Sequence, residues 1–149
     1  MRLQRIASRG HDPETFVVVF DKGDQVVAGL TEAAKRAGWG ASQLTAIGGF
    51  RQATIGYFDR DRKEYRKIPV EEQVEVLSLL GDLILEDGEP KVHAHVVLGR
   101  SDGSTVGGHL LEGDVWPTLE VVLTEAPGSL RKRLDPETGL ALIDLDGTG

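Results

Sequence analysis

Three of the protein's four histidines, His93, His95 and His109, stand close enough in the chain to serve one site. In an extended strand, side chains alternate faces at a rise of about 3.3 Å per residue. His93 and His95 therefore point the same way, roughly 6.6 Å apart. That span lets two imidazoles converge on one metal ion, with Zn–N bonds of about 2.0–2.1 Å. The residues between and around them, Val92, Ala94, Val96 and Leu98, form the other face, whose apolar character assigns it to the core. The two histidines thus face away from the main apolar layer, toward solvent, a ligand or a second subunit.

The place of His109 depends on the register of a hairpin. Ser101-Asp102-Gly103-Ser104 is a turn signal. A two-residue loop at Asp102-Gly103 sets His109 opposite Val96, on the core face. A three-residue loop, Ser101-Asp102-Gly103 with Gly103 in the left-handed conformation, sets His109 opposite His95. The second register also joins Val106 to Leu98 and Leu110 to Ala94, apolar against apolar. A slip of one residue turns every side chain to the wrong face, so hydrophobic patterning independently prefers the register that gathers three histidines. A bulge at Gly107-Gly108 would shift the parity.

Three neutral imidazoles with an open fourth position describe a zinc site that keeps a water, and zinc lowers the pKa of such a water to about 7. Imidazole also suits copper, iron and nickel, so zinc leads a group of divalent candidates. The plainer reading is that His-x-His on a strand face makes ordinary polar contacts. Glu112 and Asp114 follow His109 and could back up a ligand or act as a base. In a regular strand, however, Glu112 alternates to the other face and reads as a turn or surface carboxylate. No catalytic residue is assigned. His11, beside Asp12-Pro13, reads as a surface residue.

The elements that must position these rings are legible in part. Thr15 to Phe20 is β-branched and aromatic and reads as a buried strand. Asp24 reads as a helix N-cap, followed by Val26, Leu30, Ala34 and Ala37 at helical spacing. Lys35 and Arg36 lie near the end of that helix, and Gly38 follows as its left-handed terminator. Beyond Gly40 the pattern is β: Leu44 to Ile47, Ala53 to Phe58, Tyr65 to Val70, Val74 to Leu85, Lys91 to Leu98, Thr105 to Leu111 and Leu119 to Thr124. Gly81 marks a bulge or a close backbone approach. Ala126-Pro127-Gly128-Ser129 closes the sheet, and an apolar tail from Ala141 to Leu145 docks. One helix followed by short-linked strands predicts an α+β domain with a mostly antiparallel sheet. The expected unit is a compact single domain over 1–149, with its core at about 16–145.

Composition narrows the chemistry. With 17 Lys and Arg against 24 Asp and Glu, the net charge is −7, which opposes strong non-specific binding to nucleic acid or anionic membranes. With no Cys, thiolate ligands, disulfides and Cys nucleophiles are excluded. No apolar run nears the roughly 20 residues that cross a bilayer, and no leader pattern follows Met1. The expectation is a soluble cytoplasmic protein. Ser101 to Ser104 is no phosphate loop, since no Gly-Lys-Ser/Thr follows, and no Gly-x-Ser-x-Gly elbow is present. Asp59 to Glu64 reads as a solvated hairpin tip, Arg131-Lys132-Arg133 as a surface or interface cluster, and Trp39 and Trp116 as core or interface anchors.

Val106-Gly107-Gly108-His109-Leu110-Leu111-Glu112-Gly113, preceded by His93-Ala94-His95-Val96, resembles the PPC (plant and prokaryote conserved) domain. Glu75 to Gly81 resembles that family's central strand. Ala46-Ile47-Gly48-Gly49 with Ala53-Thr54 resembles its glycine-bearing segment, and Leu134 to Leu140 a bacterial C-terminal extension. The resemblance runs from about Phe16 to Leu145. It implies a compact α+β domain that assembles as a homotrimer, and a metal, often zinc, on His93, His95 and His109. It also implies a regulatory or candidate DNA-binding protein, and with the histidine site the expected role is a metal- or ligand-responsive regulator. The chain departs from the plant pattern in lacking Arg-Gly-Arg-Pro, its nearest stretch being Arg9-Gly10-His11. That loss, with the net charge, shifts any DNA association to a DNA-bound partner protein. Phe50-Arg51-Gln52 is bulkier than the pattern, which makes a small-molecule pocket there particular to this chain. Two other readings stand beside the regulator: a zinc-dependent hydrolase of a small substrate, and a purely structural trimer with incidental histidines.

Overall fold

The structure, a computed structural model, describes residues 1–6, 13–126 and 130–144. His11, the Arg9-Gly10-His11 stretch, residues 127–129 of the expected sheet-closing turn, and the tail from Leu145 lie outside the described residues. Those described form an α+β fold of one helix and nine strands.

β1 (Arg2–Ile6) pairs antiparallel with β2 (Thr15–Asp21). β2 buries Phe16, Val18 and Phe20 on one face, the period-2 pattern of a half-buried strand. α1 (Val26–Ala37) follows and buries Val26, Leu30, Ala33 and Ala34. Its terminator is as expected: Gly38 sits at φ 72° and its N–H donates to the Ala34 carbonyl. Its start is a correction, because the N-cap is Gln25, which makes no side-chain capping bond. The Asp24 carboxylate is engaged elsewhere. It accepts from the Asp21 N–H at 2.9 Å and pairs with the amino terminus at 2.8 Å.

β3 (Ala41–Asp59) is one strand where two were expected, and so is β7 (Thr105–Glu125). Between them lie β4 (Glu64–Val70), β5 (Val74–Glu86) and β6 (Glu89–Gly99). The register between β3 and β7 shifts at three places, the first between Gly48 and Phe50. Such irregularities bend a strand without ending it, which is why glycine-marked breaks in the sequence do not become loops.

β3, β5, β6 and β7 form a circuit of antiparallel pairings: β3 with β5, β5 with β6, β6 with β7, and β7 back to β3. The core lies inside this circuit. Phe50, Ile55, Leu79, Leu83, Ala94, Val96, Leu98, Leu119 and Leu123 are buried there, with α1 packed against β6 and β7. Trp39 is buried against Phe16, their rings 4.8 Å apart, as a core anchor. Trp116 is half-buried under the Lys22 ammonium, 3.9 Å from its ring centroid.

β8 (Arg131–Leu134) and β9 (Ala141–Asp144) make a small antiparallel hairpin whose one backbone pairing with β5 is parallel, Leu85 with Arg131. No helix among the described residues is long and apolar enough to cross a membrane.

Candidate metal centre

The β6–β7 turn sets the site. Gly103 adopts φ 82° and its N–H donates to the Arg100 carbonyl at 3.0 Å. The Asp102 carboxylate accepts from the Ser104 N–H at 2.8 Å and holds the loop closed. The resulting ladder pairs Gly99 with Thr105, Leu98 with Val106, Val96 with Gly108 and His95 with His109. This is the three-residue-loop register, and no bulge at Gly107-Gly108 disturbs it. Beyond His109 the ladder to β6 ends, and Leu110 is buried opposite Ile55 of β3.

The three rings share one patch on the outer face of the circuit. Ring centroids lie 5.3 Å apart for His93 and His95, 5.2 Å for His93 and His109, and 5.7 Å for His95 and His109. One nitrogen from each lies within 4.8 Å of the other two. Nitrogens on a common zinc stand about 3.3 Å apart.

Two of the rings are also held toward the neutral form. Burial first, then the charges of His93, His95 and Lys132, lower the His109 pKa to about 4. Burial, then His93, lowers that of His95. Neutral imidazole is the form that binds a metal. The His109 Nδ1 is buried and makes no hydrogen bond, while its ring stacks on Tyr65 at 4.4 Å and 22°. A buried nitrogen without a partner and three imidazoles on one patch fit a divalent cation.

Two charged residues that the sequence reading did not single out as ligand-site groups flank His93. Asp82 lies opposite His93 in the β5–β6 ladder, with Oδ2 3.8 Å from the His93 Nδ1. Lys132, reaching in from β8, donates to Asp82 and lies 3.4 Å from the same Nδ1. Burial works to raise the Asp82 pKa, but the contacts with His93 and Lys132 outweigh it and hold the carboxyl below its usual value. The Lys132 side chain is only 5% exposed, whereas Arg133 beside it is largely exposed. The basic cluster is therefore split by strand alternation, with its middle member turned inward.

A sequence signal for Asp82 exists. Asp87 and Gly88 both have positive φ, as a two-residue hairpin turn requires, and the Glu86–Glu89 pair around them carries along the ladder to Asp82 and His93. Lys132 has no local signal, because it arrives through tertiary docking. Glu112 does not join the cluster and lies against Thr54 at 3.5 Å. Asp114 is buried and accepts from Arg51 at 2.7 Å and Gln52 at 2.6 Å.

The chain is similar to proteins of known structure over nearly its whole length. A plant- and prokaryote-conserved (PPC) protein of Pyrococcus horikoshii is 33% identical, covering 96% of this chain and 94% of its own, with a TM-score of 0.83. The metal-containing protein AF0104 of Archaeoglobus fulgidus is 35% identical, with coverage of 93% and 98% and a TM-score of 0.79. A protein of Ralstonia eutropha JMP134 described as a "Putative DNA-binding protein" is 27% identical, with coverage of 87% and 90% and a TM-score of 0.81. The bifunctional protein GlmU of Synechococcus sp. (strain JA-3-3Ab) is 35% identical over 105 residues, which are 69% of this chain but only 16% of that protein. The family model of the Plants and Prokaryotes Conserved domain matches residues 7–127. With the histidine-bearing strands inside that match, the chain belongs to the Plants and Prokaryotes Conserved (PCC, also written PPC) domain family.

Proposed function

We propose that the protein is a metal-binding homotrimer in which His93, His95 and His109 of each chain hold one divalent ion, zinc first, and that it acts as a metal- or ligand-responsive regulator. The observation that carries this reading is the meeting of three imidazole nitrogens within 4.8 Å on one outer patch. The Archaeoglobus fulgidus relative, described as metal-containing, supports it. A bound zinc supplies a Lewis acid with a coordination position open to a further ligand. The protein's own groups orient the rings and exclude water from one side.

Assembly is supported by the outer face of the circuit. Ile47, Leu77, Leu80, Val97 and Val122 are exposed there, and apolar side chains gathered on an outer face mark an interaction surface. Leu80 pairs with His95 across the β5–β6 ladder, so this surface runs up to the site. Association with DNA goes through a partner protein, since a net charge of −7 opposes direct phosphate contact. The hydrolase reading is weaker, because it needs a base beside a bound water. Asp82, the carboxylate at the cluster, is tied to Lys132.

Elemental analysis of protein purified without a histidine tag tests the reading. About one equivalent of metal per chain is expected, lost in His95→Ala and His109→Ala. Less than about a tenth of an equivalent overturns it and leaves the structural trimer. Metal-loaded protein that binds neither DNA nor a DNA-bound protein at low salt removes the regulatory half.

A further inference from the structure

Beside His93 and His109 lies a cavity of about 230 Å³ that the C-terminal hairpin helps to enclose. Its walls are of two kinds. Tyr65, Val92, Leu140, Ala141 and Leu142 make an apolar side, and His93, His109 and Lys132 make a polar end. The Lys132 ammonium is 3.4 Å from the His93 Nδ1 and its side chain is 5% exposed. A cation so buried is held in place by its partners and cannot swing out to water. Glu86 and Lys91 at the rim offset each other in charge, as Asp82 and Lys132 do at the polar end. A divalent ion on the histidines then leaves the polar end net positive.

The geometry points to a binding site for a small organic acid: a carboxylate at the polar end, between the metal and Lys132, and a short apolar body under Leu140 and Leu142. This rests on the three-histidine metal reading and names the class of ligand for that site. The volume lies below the roughly 300–1,000 Å³ of pockets for larger ligands, so the acid is small. The apolar wall favours an organic acid over inorganic phosphate, which has nothing to bury there. The carboxylate matches the open coordination position and a buried ammonium, which is a charge-assisted arrangement. An uncharged molecule of the same shape leaves that positive end unpaired. The hairpin that carries Lys132 and Leu142 touches β5 by a single backbone pair, so a ligand bridging hairpin and metal strengthens its docking.

The test uses the full chain loaded with cobalt(II), whose visible bands report ligands entering the coordination sphere. Hexanoate, acetate, inorganic phosphate and 1-hexanol are titrated in turn, with cobalt content measured separately. Hexanoate is expected to shift the bands and to bind at least about tenfold more tightly than acetate, because its extra methylenes are buried. Phosphate and hexanol are expected to bind more weakly than hexanoate. The double variant Asp82→Asn/Lys132→Met removes both charges together; loaded at a cobalt concentration that offsets its weaker metal binding, it is expected to lose about tenfold in hexanoate affinity. Leu142→Asp is expected to lose the preference for hexanoate over acetate. Cobalt retained with hexanoate no tighter than acetate or phosphate overturns the organic-acid site and leaves the metal centre standing. Cobalt retained with hexanol binding as tightly as hexanoate overturns the carboxylate. No cobalt retained overturns the metal reading and this inference with it.

Discussion

At the scale of single residues, the site is defined by what surrounds each imidazole. His109 is the most constrained, stacked on Tyr65 with a buried, unpartnered Nδ1. Its folded pKa is about 4, against about 6.5 in an unfolded chain. As the pH falls through that window the unfolded chain takes up a proton that the folded chain refuses, so metal-free protein loses stability between about 6.5 and 4 and keeps it above. Urea midpoints across that range measure the slope, and His109→Gln is expected to flatten it. A slope unchanged in the variant refutes the assignment. Asp82 stands 3.8 Å from the His93 Nδ1, and carboxylates behind metal-bound histidines fix ring orientation. Asp82→Asn is expected to weaken metal binding about 10–100-fold, read by competition with a chromophoric chelator. An unchanged affinity means that Asp82 serves only to hold Lys132.

At the scale of elements, two devices place the rings. One is the three-residue β6–β7 loop, with Gly103 at φ 82°. The other is the close approach of β5 to β6 at Gly81, where an added Cβ would press on the backbone of His93 and Ala94. That crowding cannot be relieved by moving a side chain, so the strands would have to separate at the histidines. Gly81→Val is expected to cost about 1–3 kcal/mol and to lower metal occupancy as well, measured by chemical denaturation and elemental analysis. A variant that loses stability but keeps full metal content separates the packing role of Gly81 from the site. The hairpin β8–β9 is a third element at the site. Its alternation buries Lys132 and leaves Arg133 largely exposed, so a run of three basic residues supplies one inward cation.

At the scale of the whole molecule, the circuit of four long strands puts the aliphatic side chains inside and the histidines outside, next to exposed Leu80 and Val97. Leu80 is 59% exposed and Ile47 63%. For the proposed trimer, Leu80→Glu and Ile47→Glu are expected to shift sedimentation toward monomer with little change in the secondary-structure signal. A wild-type protein that sediments as a monomer overturns the assembly. Chelation acts on the same global equilibrium: with free ion at about 100 times its Kd, removing it is expected to cost about 2.7 kcal/mol of stability. A Tm insensitive to chelator contradicts a site that is part of the fold.

The residues alone determined the fold class, the single main helix with its Gly38 terminator, and the pairing of His95 with His109. All three follow from short-range rules: helical and strand periods, turn chemistry, and the requirement that Val96 and Leu98 face inward. The helix start failed because Asp24 found better partners in Asp21 and the amino terminus, a competition invisible without the packed N-terminal strand. The separate strands read around the glycines became single ones, because bulges absorbed the irregularity that a local pattern reads as a break. Tyr65, Asp82 and Lys132 reached the histidines by different routes. Asp82 came through a neighbouring hairpin whose turn was legible, and the other two through docking between segments far apart in the chain. Hydrophobic alternation decides which way a strand faces, but only tertiary packing decides which strand lies beside it.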